Sequence, residues 1–237
     1  MVYRKELNKR SPLRVFERSL HGGLGKGNIG VVTSRKGVGK TAFLTDIALD
    51  DLMRERPVLH VTLQHSVERV LSFYDEMFGE LARSQRLEDE AETRLAVERH
   101  RHVLSYKGIK EFHLERLRES LGFLAQHAAF RPEALVLDGY PDFTAVTAAE
   151  IAALKQLAQD FALELWVTAL HHREGQPQDE RGVPLEVARF EAYLSVIVHL
   201  EPQGDHVMLR LVKDHENPDL AALHLELDPR TLLLRWS

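Results

Sequence analysis

Short apolar runs along the chain are followed by stretches whose apolar positions recur three and four residues apart, a strand-then-helix pattern. The first run, Asn28–Thr33 (N-I-G-V-V-T), precedes a helical pattern from Lys40 to about Met53 built on Phe43, Leu44, Ile47, Ala48 and Leu52. Pro57 opens a second strand, Val58–Leu63, and a helix is predicted from about Val67 to Leu81. His102–Tyr106, Ala134–Leu137 and Leu163–Leu170 are further strands, separated by helices over Glu111–Ala129 and from Thr147 to about Phe161. Thr147 and Glu150 form a capping box at the start of the latter. After a polar loop, 171–185, the runs Leu194–Leu200, Val207–Val212, Leu223–Leu227 and Thr231–Trp236 predict strands that extend the sheet at one edge. The alternation predicts an α/β fold with a mostly parallel central sheet, flanked by helices, and a C-terminal antiparallel extension.

Residues 80–101 interrupt this pattern. Glu80, Glu88, Asp89, Glu90, Glu92 and Glu98 stand among Arg83, Arg86, Arg94, Arg99 and Arg101, with Glu90–Arg94 a supporting i,i+4 pair. This predicts a charged helical excursion at the surface or at an oligomer contact.

Composition narrows the class. The chain has 237 residues, 44% of them hydrophobic, which suffices for one sizeable core. No apolar run is long enough to span a membrane. No apolar segment follows the basic N-terminus, so a secretory signal is not expected and a cytoplasmic location is. The absence of cysteine excludes disulfides, thiol catalysis and Cys-based metal sites. The net charge of −5 is uneven: residues 1–26 carry seven Lys or Arg against two Glu, leaving about −10 on the rest. Residues 1–20 therefore read as a basic arm, solvated or docking a partner, and residues 21–237 as one domain. The acidic body disfavours nucleic acid, whose non-specific binding rests on Lys and Arg contacts to phosphate.

The sharpest chemical signal is Ser34-Arg35-Lys36-Gly37-Val38-Gly39-Lys40-Thr41, where a strand passes into a helix. That is the setting of a phosphate loop, G-x-x-x-x-G-K-[ST], with Ser34 in place of the first Gly. Glycines let backbone N–H groups curl around phosphate oxygens, and the helix N-terminus adds partial positive charge. Ser34, Lys36, Gly37, Val38, Gly39, Lys40, Thr41 and Ala42 are the candidate cradle for ATP, with Lys40 on the β- and γ-phosphates. Thr41 and Asp138, which ends the apolar run A-L-V-L-D, are the candidate Mg²⁺ ligands.

With these residues in view, the chain resembles the RecA-like ATPases, in particular KaiC-type proteins and the ATPase domain of DnaB-type replicative helicases. Gly22-Gly23-Leu24-Gly25-Lys26-Gly27 is similar to the KaiC-type segment before the first strand. Ser34–Thr41 with Ala42-Phe43-Leu44 is similar to the helicase phosphate loop, and Val58–Ser66 resembles the helicase strand that ends in S-L-E-M-S. Trp166–Leu170 matches the strand carrying a nucleotide-sensing Gln, and Asp228-Pro229-Arg230-Thr231 is similar to a terminal hairpin. The resemblance implies ATP, Mg²⁺ and assembly into a ring, a hexamer among the sizes expected, with nucleotide between neighbours.

The family's activating Glu falls on Gln64, and an amide cannot accept a proton. No Glu follows Asp138, where Gly139 stands; Glu68 is the nearest substitute. The sensing Gln falls on His171 or His172, with His172 the candidate. The family's K-x-R reads Lys213-Asp214-His215, which keeps the lysine and replaces the arginine finger by His215. Loss of a general base costs about 10²–10⁴ in rate, and a missing arginine finger about 10³–10⁵. The expectation is an ATP-binding regulator or assembly subunit with slow or absent hydrolysis.

The alternative is an active DNA-dependent ATPase of helicase or recombinase type. Its DNA loops would be 139–146, where Tyr140 and Phe143 could stack bases or pack at a subunit interface, and the acidic loop 171–185. A third reading has no nucleotide at all. The pairs His100/His102 and His171/His172 read as solvated surface.

Overall fold

The computed structural model describes residues 2–106, 112–171 and 177–237. Two short helices come first, α1 (Arg4–Arg10) and α2 (Leu13–Ser19). Strand β1 (Asn28–Arg35) leads through the glycine loop into α3 (Lys40–Met53). Then follow β2 (Val58–Thr62), α4 (Val67–Gln85), α5 (Glu90–His100), β3 (Arg101–Ser105), α6 (Leu114–His127), β4 (Ala134–Asp138) and α7 (Ala148–Asp160). After β5 (Glu164–His171) and the one-turn α8 (Leu185–Ala188) come β6 (Val196–Gln203), β7 (His206–Asp214), β8 (Leu225–Leu227) and β9 (Leu234–Trp236).

Among the described residues the strands form one sheet in the order β3-β2-β4-β5-β1-β6-β7-β8-β9. β1 through β6 pair in parallel, and β7, β8 and β9 add antiparallel strands at one edge. The expected α/β architecture with its antiparallel extension is therefore observed. Every residue of β2 and β4 is buried, because helices cover both faces of the parallel part. One face carries α3, α4, α5 and the two N-terminal helices; the other carries α6 and α7. In α6 the stripe Leu117, Leu121, Leu124 turns inward at helical spacing. The capping box forms: Thr147 Oγ1 accepts from Glu150 N, and Glu150 Oε2 accepts from Thr147 N at 2.9 Å.

Two expectations are corrected here. The basic arm is not a solvated tail: its apolar face is packed into the core, while Lys5, Lys9, Arg10 and Arg18 stay exposed. Leu7, Leu13, Phe16 and Leu20 are buried, and Phe16 meets the rings of Phe43 and Trp166 at 5.8 and 5.9 Å. Arg14 is ion-paired with Asp50 and Glu17, so part of the positive charge is already matched. The charged excursion also has a core face: Val97 and Thr93 are buried, α5 lies against α3, and Arg94 covers the Phe78 ring at 4.8 Å. Its outer face keeps the Glu90–Arg94 pair at 3.4 Å.

The connection β1–α3–β2 leaves on one face, whereas α7 delivers the chain to β5 on the other. A crevice opens at the C-terminal ends of the strands where connections part in this way, and such a switch point is where α/β sheets bind ligands. No helix among the described residues is long and apolar enough to cross a membrane.

Candidate functional site

The glycine loop lies at the C-terminal end of β1, at that switch point. Gly37 and Gly39 take φ of 82° and 120°, which side chains disfavour. Gly39 also has no room, since a Cβ there would stand 2.6 Å from Leu227 Cδ2 on β8. Gly39 is the N-cap of α3 and brings no side-chain cap, so the first N–H groups of this helix are left for another acceptor. Val38 packs on the core, while Lys36 and Gly37 face solvent. Ser34 is fully buried, so a small residue in place of the usual glycine is accommodated.

Lys40 is buried, and its ammonium is held by three oxygens. Nζ donates to the Ser34 carbonyl at 2.8 Å, the Arg35 carbonyl at 3.0 Å and Ser34 Oγ at 3.1 Å. Burial pulls its pKa down to about 8, against the opposing pull of Asp138. Thr41 Oγ1 donates to Asp138 Oδ2 at 3.0 Å, reaching across the end of β5 from α3 to β4. Burial raises the Asp138 carboxyl; hydrogen bonds from Thr41 and Thr168 and the nearby His65 and Lys40 offset part of that rise. The cation, hydroxyl and carboxylate expected from the sequence thus meet in one place.

Thr168, on β5, was not among the expected residues. Its hydroxyl donates to Asp138 Oδ1 at 3.2 Å and accepts from Gly139 N at 3.1 Å, which fixes the carboxylate. The only signal for it was a lone hydroxyl inside the run L-W-V-T-A-L. Gln64 also belongs to the crevice: a Cβ on Gly139 would lie 3.0 Å from Gln64 Cγ. Gln64 is exposed, so it faces the open side of the crevice beside Asp138.

The remaining candidates fall elsewhere. β7 runs antiparallel to β6, with Asp214 opposite Val196 and His199 opposite Thr33. Lys213 and His215 therefore stand at the opposite end of the strands from Lys40. Lys213 Nζ donates to the Glu191 carbonyl at 2.8 Å, and His215 meets Asp214 Oδ1 at 2.8 Å and the Leu24 carbonyl at 3.1 Å. Neither is brought to the glycine loop of its own chain. His172 lies outside the described residues. Tyr140 and Phe143 are buried within the chain, against Phe112 and Phe190, which corrects their reading as base-stacking or interface residues. In the expected acidic loop, Arg181 is paired with Asp179 and Glu191.

A second buried polar group lies between α2 and α3. Asp50 and Asp51, with Glu17, form a carboxylate cluster, and the guanidinium groups of Arg14, Arg54 and Arg56 bind it. These arginines already supply the countercharge a metal would bring.

No known family model matches the chain, and no curated protein is detectably similar to it in sequence.

Proposed function

We propose that this chain is a RecA-like P-loop protein of the cytoplasm that binds ATP with Mg²⁺ and hydrolyses it slowly or not at all. In this reading it works as a nucleotide-dependent regulator or assembly subunit, in a ring of its own copies. The observation that carries it is the pairing of Thr41 with Asp138, beside a lysine parked on the carbonyls that end β1. The residues fit the missing group: an uncapped helix N-terminus for phosphate oxygens, and a hydroxyl–carboxylate pair of hard oxygen donors for a magnesium ion.

The chain's own part follows from this arrangement. Lys40 leaves the Ser34 and Arg35 carbonyls and places its charge on the phosphates, whose oxygens replace those carbonyls as acceptors. Thr41 and Asp138 would hold the metal, and Thr168 keeps Asp138 oriented. Bound Mg²⁺ supplies the charge that offsets the phosphate oxygens. Gln64 can orient a water through its amide but cannot take its proton, which supports slow turnover. A DNA-driven motor has less support, because Tyr140 and Phe143 are buried and the arm's arginines are partly paired.

The test is a titration with a fluorescent ATP analogue, with and without Mg²⁺, and an ATPase assay with and without single-stranded DNA. Saturable binding that needs Lys40, with little turnover in either condition, is expected. An empty loop at millimolar nucleotide rejects the reading, and strong stimulation by DNA favours the motor.

A further inference from the structure

A cavity of about 450 Å³ opens beneath the C-terminal hairpin, away from the phosphate loop, between α1–α2, α3, the end of α4 and β9. Its lining is mixed, with apolar surface from Leu7, Leu13, Met53, Leu81, Leu234 and the half-exposed Trp236 set among polar and charged side chains. Two carboxylates of α3 line it, Asp46 and Asp50. They differ in one respect. Asp50 is ion-paired with Arg14 and Arg54. Asp46 is 8% exposed, and one oxygen accepts from Leu234 N at 2.8 Å. Its other oxygen has neither a hydrogen bond nor a cation among the described residues. A buried carboxylate without a counter-ion is costly. Here it lines a cavity whose size, and whose apolar surface interrupted by polar groups, are those of a small-molecule site.

We propose that this cavity binds a small organic cation, a primary amine on an apolar or aromatic body, with Asp46 as its counter-ion. The amine donates to the free Asp46 oxygen while the body lies against the leucines and Trp236. Arg10 at the rim disfavours a second positive charge on the ligand, and Arg235 is already held by Glu226 and Asp228. The site is independent of the nucleotide reading.

The experiment is calorimetric titration of the whole chain, without nucleotide, using 4-phenylbutylamine as probe and 4-phenylbutanol as its uncharged counterpart. One-to-one saturable binding of the amine is expected, at least tenfold tighter than the alcohol. Asp46→Asn keeps an acceptor for Leu234 N and is expected to weaken the amine at least tenfold. Ser84→Trp, at the exposed rim on α4, is expected to block both compounds while the unfolding curve stays unchanged. Lys40→Ala is expected to leave the amine isotherm as in the wild type, so the two sites fail separately. Absence of saturable amine binding, equal binding of amine and alcohol, or wild-type amine binding by both the Asn and the Trp variants overturns the proposal.

Discussion

The two ends of the sheet each gather buried polar groups, and they solve the same problem differently. At the N-terminal end, Asn28 Oδ1 accepts from Lys155 at 2.8 Å and from Ser195 at 2.9 Å, and its amide donates to the Leu24 carbonyl at 2.8 Å. Beside it the buried Asp214 meets His21, His215 and Asn217. Burial alone would raise Asp214, but these hydrogen bonds outweigh it and hold the carboxyl below the usual range. At the C-terminal end, Lys40 has only carbonyls and a hydroxyl, and the first amides of α3 lack a side-chain cap. Burial raises Asp138 there. One end is neutralised from within the chain; at the other, Lys40 and Asp138 are held by carbonyls and hydroxyls, and the proposed nucleotide and metal would be their charged partners. A polar cluster that is complete supports stability, whereas one left incomplete invites a ligand.

Replacing Asp214 tests the closed end most severely. Asp214→Ala is expected to lower unfolding stability by about 2–3 kcal/mol in a denaturant titration, because it orphans its partners, and to leave nucleotide affinity unchanged. A loss of affinity at full stability would erase the distinction between the ends. Lys40→Ala should do the reverse: affinity for the ATP analogue falls roughly 100-fold, about 2.7 kcal/mol, with the unfolding midpoint shifted only slightly.

Asp46 is an intermediate case, half satisfied and without a cation. Burial raises its pKa to about 7 from the ordinary 3.8. The native chain therefore keeps a proton that the unfolded chain releases, so stability is highest below about pH 4 as far as this group goes and is lost as pH rises towards 7. Asp46→Asn removes that slope. Comparing thermal unfolding of the two proteins at pH 5 and pH 8, the variant should gain about 2–3 kcal/mol on the wild type at the higher pH. Parallel pH profiles would contradict the assignment.

The smallest expected effect sharpens the open end. Gln64→Glu gives the crevice a proton acceptor, and turnover of ATP should rise about tenfold or more. An unchanged rate places the catalytic deficit elsewhere.

These residues were not equally legible in the sequence. Lys40, Thr41 and the glycines are contiguous, and their chemistry follows from a strand-to-helix turn, which local spacing determines. Asp138 is legible because an apolar run ends in a carboxylate. Thr168 is not, since its meeting with Asp138 depends on β5 lying between β1 and β4, a crossover no local pattern specifies. Charge counting sees Arg14 and misses Asp50, because their pairing is tertiary. Lys213 and His215 are legible as the counterpart of a finger aimed at a neighbouring copy. The antiparallel pairing of β7 with β6 sets them at the end of the sheet away from Lys40 of their own chain.

The contact of Leu227 with the Gly39 position has a temporal meaning. The glycine loop is made before β2, yet the side chain that backs it arrives only with β8. Pairings so far apart in sequence form slowly. A growing chain thus carries the complete loop motif before it carries the side chain that backs it.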